Sequence, residues 1–83
     1  MLKFIGDFEQ LKDYGFTQSL IKDLIVKFAS QGKSQIIVNK RTREIYAIYN
    51  GGYGFYGSTS KPSPLKYKVV KQLIKDGLVI KED

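Results

Sequence analysis

"TQSLIKDLIVKFAS", residues 17 to 30, carries an apolar spacing that admits an amphipathic helix. At about 100° per residue, Leu20, Ile21, Leu24, Ile25, Phe28 and Ala29 fill one half of a helical wheel, and Lys22, Asp23, Lys27 and Ser30 fill the other. Thr17 can cap such a helix and Gly32 can end it, so the spacing predicts a helix over Gln18–Ser30. Upstream, Asp7 and Gln10 have the spacing of a capping box ahead of a short helix, Phe8 to Tyr14. Gly15 supplies its left-handed stop.

Downstream the period changes from helical to alternating. "QIIVNKRTREIYAIYN" reads as two strands around a basic turn, and Asn50-Gly51 is a hairpin signal for a third. Residues 35–39, 44–49 and 53–58 then form a meander. Pairing Asn39 with Glu44 puts Ile36, Val38, Ile45, Ala47, Tyr49 and Tyr56 on one face, and Ile37, Tyr46, Ile48, Tyr53 and Phe55 on the other. "STSKPSP" breaks the pattern, and Ser63-Pro64 starts a helix expected to run from Pro64 to Asp76. Leu65, Tyr67, Val69, Val70, Leu73 and Ile74 form its apolar side, with Lys68, Lys71 and Lys75 on the other. Gly77 stops it, and Leu78–Ile80 adds a short edge strand.

The expected architecture is one α+β domain over residues 1–83. Two N-terminal helices, a three-stranded antiparallel meander and a C-terminal helix make a small sandwich, in a winged-helix-like arrangement. Eighty-three residues hold one hydrophobic core and leave no room for a second.

Composition narrows the chemistry. The chain has no cysteine and no histidine, which removes the commonest zinc ligands, the commonest general base and every Ser-His or Cys-His arrangement. No residue calls for a cofactor or a metal, and the reading is of a protein that is not an enzyme. "MLKFIGDFEQ" turns polar too soon for a secretory signal, and no apolar run reaches the ~20 residues of a membrane span, so a cytoplasmic location is expected.

The net charge of +6 is unevenly distributed. Residues 1–32 hold four lysines and four acids, which cancel. Residues 33–75 hold nine cations against the single Glu44. A basic segment of this kind suits a polyanionic partner, and it also suits a lysine-rich solvated surface.

Three resemblances accompany this reading. "DFEQLKDYGFTQSLIKDL", residues 7–24, resembles a helix-turn-helix, with Gly15 at the turn and "NKRTRE" as the wing that follows. It departs from that pattern in carrying Leu11 where alanine is favoured and Asp23 on the recognition helix. "KVVKQLIKDGLVIKED" resembles a winged-helix recognition helix running into its first wing strand. "EIY" at 44–46 and "FYG" at 55–57 resemble the paired tripeptides of the GIY-YIG nucleases, which would imply metal-assisted phosphodiester cleavage. Glu44 and Tyr56 depart from those tripeptides, no arginine follows Arg43, and Glu82 is the only glutamate after Glu44, so the residues for that chemistry are missing.

The functional expectation is nucleic-acid binding, of DNA or RNA, by a basic hairpin and a lysine-rich C-terminal helix. Lys40, Arg41 and Arg43 at the turn and Lys66, Lys68, Lys71 and Lys75 on the helix are the phosphate-binding candidates. The two arginines also offer a planar fork for guanine. Tyr46, Tyr53 and Phe55 form an aromatic strand face that either stacks on bases or is buried by the helices. A regulatory role of the kind encoded by mobile elements such as phages and plasmids fits so small a module. The alternative is a protein-binding adaptor or inhibitor that docks the same aromatic and basic face on an acidic partner. Homo-oligomerisation through the apolar strand faces is the third option.

Overall fold

The computed structural model describes residues 1–28, 34–50, 59–60 and 62–82. Strands dominate it. β1 (Leu2–Phe4), β2 (Thr17–Gln18), β3 (Leu24–Phe28), β4 (Ser34–Asn39), β5 (Glu44–Asn50), β6 (Thr59–Ser60) and β7 (Val79–Lys81) belong to one sheet. Six lie in the order β2-β3-β4-β5-β1-β7, β6 joins β5, and every pairing is antiparallel. Among the described residues, helical structure is confined to a 3₁₀-helix at Phe8–Tyr14, a 3₁₀ turn at Pro64–Lys66 and the α-helix α1, Lys68–Lys75.

The helix expected over Gln18–Ser30 is not there. Its place is taken by β2, a turn and β3, which overturns both the two-helix N-terminus and the winged-helix arrangement. Locally, Ser19 Oγ accepts the Ile21 N–H at 3.1 Å, and the Ser19 N–H donates to the Leu24 carbonyl at 3.0 Å. Asp23 takes a left-handed φ of 70°, a conformation that short polar side chains tolerate. Leu24, Ile25, Val26 and Phe28 then enter a ladder with β4 that runs from Leu24 opposite Asn39 to Phe28 opposite Gln35. β-branched and aromatic residues suit that pleated environment, and a five-residue ladder outweighs a local helical pattern. Leu20 and Ile21, assigned to the buried face of a helix, are instead 107% and 64% exposed at the turn.

The first helix forms where its cap was read. Gln10 Oε1 accepts the Asp7 N–H at 2.8 Å, Asp7 Oδ1 accepts the Glu9 N–H at 3.1 Å, and Gly15 closes the element at φ 91°. The β4–β5 hairpin also has the expected register, with Val38 opposite Ile45 and Ile36 opposite Ala47. The Asn50-Gly51 reversal is corrected, because β5 runs through Asn50 and pairs it with Thr59. The strand expected at 53–58 lies outside the described residues.

β1 was not anticipated. It lies between β5 and β7, with Leu2 opposite Ile45 on one side and Phe4 opposite Val79 on the other. β7 is therefore an edge strand, one residue later than expected. The C-terminal helix is shorter than expected as well. Ser63 caps the 3₁₀ turn, Tyr67 returns to an extended conformation, and only then does α1 begin. Gly77, at φ 79°, ends the helical segment, with its N–H on the Ile74 carbonyl and the Leu78 N–H on the Leu73 carbonyl.

The core lies on one face of the sheet. Leu2, Phe4, Ile25, Ile36, Val38, Ile45 and Val79 point to that face and pack with Val70 and Leu73 of α1 and with Leu11 and Phe16. Val26 and Ile37 point the other way and are buried as well. Among the described residues no helix is long and apolar enough to cross a membrane.

Candidate nucleic-acid interface

The cations read from the sequence fall into two groups. The first is the β4–β5 turn, a tightly bonded reversal. Asn39 Oδ1 accepts the N–H groups of Arg41 and Thr42 at 2.8 and 3.2 Å, and the Arg43 N–H donates to the Asn39 carbonyl at 2.7 Å. Lys40 donates from Nζ to Gln18 Oε1 at 2.7 Å, which ties the turn to β2. Arg41 is exposed at the tip.

Arg43 faces inward. Its Nη1 donates to the carbonyls of Phe4 and Gly6 at 3.1 and 2.8 Å, and its guanidinium lies 4.6 Å from the centroid of the Phe8 ring. The side chain thereby closes the exit of β1 onto the start of the 3₁₀-helix. Its Nη1 is committed to two backbone carbonyls, so at least part of the fork serves the fold.

The second group gathers where β3 and β4 meet the start of α1. Lys27, Phe28, Ile36, Lys66, Tyr67, Lys68 and Val69 line a cleft of about 430 Å³. Three of its seven lining residues are lysines and none is a carboxylate, which gives it one sign of charge. Lys27 lines the cleft while its Nζ reaches toward Gly15, so close that a Cβ there would lie 2.7 Å away. That is the C-terminal end of the 3₁₀-helix, where peptide dipoles favour a cation. The Lys66 ammonium lies 5.7 Å from the Tyr67 ring centroid, and Lys66 and Lys68 are both exposed. Lys71 and Lys75, also exposed, continue from Lys68 at helical spacings of three and seven. The first turn of α1 carries no acidic residue and no side-chain cap.

Tyr46 belongs to neither group. It pairs with Ile37 on the face of the sheet turned away from α1. Burial first, and Glu44 second, raise its hydroxyl pKa above the ordinary value of 10.0. Tyr53 and Phe55 lie outside the described residues. Of the aromatic platform expected on that strand face, Tyr46 is the member among the described residues, and the register puts it on the same face as Val26 and Phe28 of β3.

Lys27 and Phe28 were missed as site residues because the helical reading put one on a solvated face and the other in the core. In a strand, neighbours point to opposite faces, which turns Lys27 toward α1 and leaves Phe28 57% exposed. The alternation through "LIVKF" is the signal that could have found them.

Among the described residues no group of three Asp or Glu side chains is positioned to hold a metal ion. Compared with known proteins, the chain matches no family model, no curated protein and no solved structure.

Proposed function

We propose that this protein binds nucleic acid, capturing the phosphate backbone at the cleft between β3 and the start of α1, without catalysis. The observation that carries the reading is the cleft lining, with Lys27, Lys66 and Lys68 beside Phe28 and Tyr67 and no carboxylate among them. Lys71 and Lys75 extend the positive surface along α1, and exposed Arg41 is a separate, weaker point of contact. Lysines act on phosphates as point charges, so the capture tolerates sequence and weakens with salt.

Fluorescence anisotropy of labelled oligonucleotides across a salt series tests this. Wild-type binding is expected to fall linearly with the logarithm of salt concentration. In Lys66→Ala/Lys68→Ala the slope should shrink by about 1.4, at about 0.7 per single-strand phosphate contact. An unchanged slope in the double variant would remove the cleft from the site.

A protein-binding adaptor remains the second reading, favoured by a different observation. Leu20 and Ile21, exposed at the β2–β3 turn, line an apolar groove with Val26 and Phe28. Salt-independent binding of a protein partner, insensitive to competing oligonucleotide, would favour that reading.

A further inference from the structure

We infer that a second cleft, between the 3₁₀-helix, β2 and the β4–β5 turn, binds a small carboxylic acid with an apolar body. The carboxylate sits on the Lys40 ammonium and the body on Phe8, Phe16 and Ile25. This site is separate from the lysine cleft beside α1, and it does not rest on the nucleic-acid reading above.

The sheet register builds the cleft. Gln18 opposes Ile25 across the β2–β3 ladder, which turns both side chains to the face that Phe16 packs on. Lys40 reaches the same side from the β4–β5 turn, where its Nζ donates to Gln18 Oε1 at 2.7 Å. The enclosed space is about 540 Å³, the size of a small-ligand site, and Phe8, Phe16 and Ile25 form its apolar wall. The Phe8 ring is fixed by its other neighbours. Its centroid lies 5.8 Å from that of Phe4, and the Arg43 guanidinium lies 4.6 Å from it. A wall held in this way needs little ordering when a ligand arrives.

Gln18 positions the cation. Its Nε2 donates to the Ser19 and Leu24 carbonyls at 3.2 and 3.0 Å, which leaves Oε1 to face Lys40. The partner of the half-buried Lys40 is thus a neutral amide, and among the described residues no carboxylate pairs with it. An ammonium has three donors, so two remain for an anion. The other charges of the lining, Glu9 and Lys12, pair with each other at 2.9 Å and stay largely exposed. They cancel, and the wall keeps one net positive charge. A single cation beside an apolar wall matches a monoanion with an apolar body. An uncharged apolar molecule would cover the ammonium without pairing it, which is costly, and a dianion would keep half its charge unmatched.

The test uses the full, isotopically labelled chain, with sodium butyrate, sodium hexanoate and hexanamide as probes at one ionic strength. Backbone amide shifts are followed for wild type, Lys40→Gln and Lys40→Arg. Hexanoate should give saturating shifts at Phe8, Phe16, Gln18, Ile25 and Lys40. It should bind roughly 15-fold more tightly than butyrate, at about fourfold for each of two further buried methylenes. Hexanamide, which has the same body without the charge, should bind at least about tenfold more weakly than hexanoate. Lys40→Gln should lose about tenfold for hexanoate, and Lys40→Arg, which keeps the charge, should lose less. The spectrum of each variant reports its folding, and the comparison of the three probes on wild type decides the matter even if a variant fails to fold. Equal affinity for hexanoate and hexanamide, or a folded Lys40→Gln that matches wild type, would overturn the inference. So would hexanoate shifts spread over the exposed lysines without saturation.

Discussion

The β4–β5 turn and the cleft beside α1 are equally basic in sequence, yet the fold uses their cations differently. At the turn, Lys40 is bonded to Gln18, Arg43 is bonded to the carbonyls of Phe4 and Gly6, and only Arg41 extends into solvent. At the cleft, Lys66 and Lys68 are exposed, and no carboxylate lines the same space. The difference shows that a count of cations along a chain locates charge but not its availability. A guanidinium that donates to backbone carbonyls of another element has become part of the fold.

Two substitutions probe the turn and a third the C-terminal end of α1. Arg43→Ala should have the largest effect, and on stability. It leaves the Phe4 and Gly6 carbonyls without their charged donor and removes the contact with Phe8, for a loss of about 2–3 kcal/mol in urea unfolding. Oligonucleotide affinity of the folded protein should not change. An affinity loss without a stability loss would make Arg43 a binding residue and break the contrast.

An intermediate effect is expected at the far end of α1, where the Tyr14 hydroxyl donates to the Asp76 carboxylate. That bond is the main cause of the raised Tyr14 pKa, above the ordinary 10.0. The folded state therefore holds this proton more tightly than the unfolded chain does. The stabilisation is complete below about pH 10 and is lost as pH rises through the folded value. Tyr46 shifts in the same direction. Stability measured from pH 8 to 11 should fall at the alkaline end, and Tyr14→Phe should show a shallower fall because its own contribution is gone, while those of Tyr46 and Lys12, raised by Glu9, remain. An equally steep fall in the variant would dissociate the tyrosine bond from alkaline sensitivity.

Arg41→Ala should have the smallest effect. Its side chain is exposed at the turn tip, so unfolding should change by no more than about 0.5 kcal/mol. The salt slope of oligonucleotide binding should fall by at most one phosphate contact, about 0.7. A larger loss than that of Lys66→Ala/Lys68→Ala would move the binding site to the turn.

How far the molecule was legible in its sequence follows from the range of the deciding interactions. The Asp7–Gln10 cap and the Gly15 stop are local, and the β4–β5 register follows from alternation on both sides of a turn built around Asn39. All were readable. Residues 17–28 were misread because their apolar spacing fits one helix face and also the outward alternation of Leu24, Val26 and Phe28. Pairing with residues 35–39 settles the choice, and no local period contains that information. β1 is three residues long and owes its existence to partners at Ile45 and Val79, more than forty positions away in sequence. At the candidate site, Lys66 and Lys68 were legible as charges on a helix start. Lys27 and Phe28 became visible only once β3 replaced the helix, and the part Arg43 plays in the fold only once its carbonyl partners were known.

The most direct test is a titration of the isotopically labelled protein with a short single-stranded oligonucleotide, followed by backbone amide chemical shifts at low salt. The largest shifts are expected on Lys27, Phe28, Ile36 and Lys66–Val69, with Lys40–Arg43 little changed. Shifts concentrated at Lys40–Arg43, with the cleft residues silent, would contradict that placement.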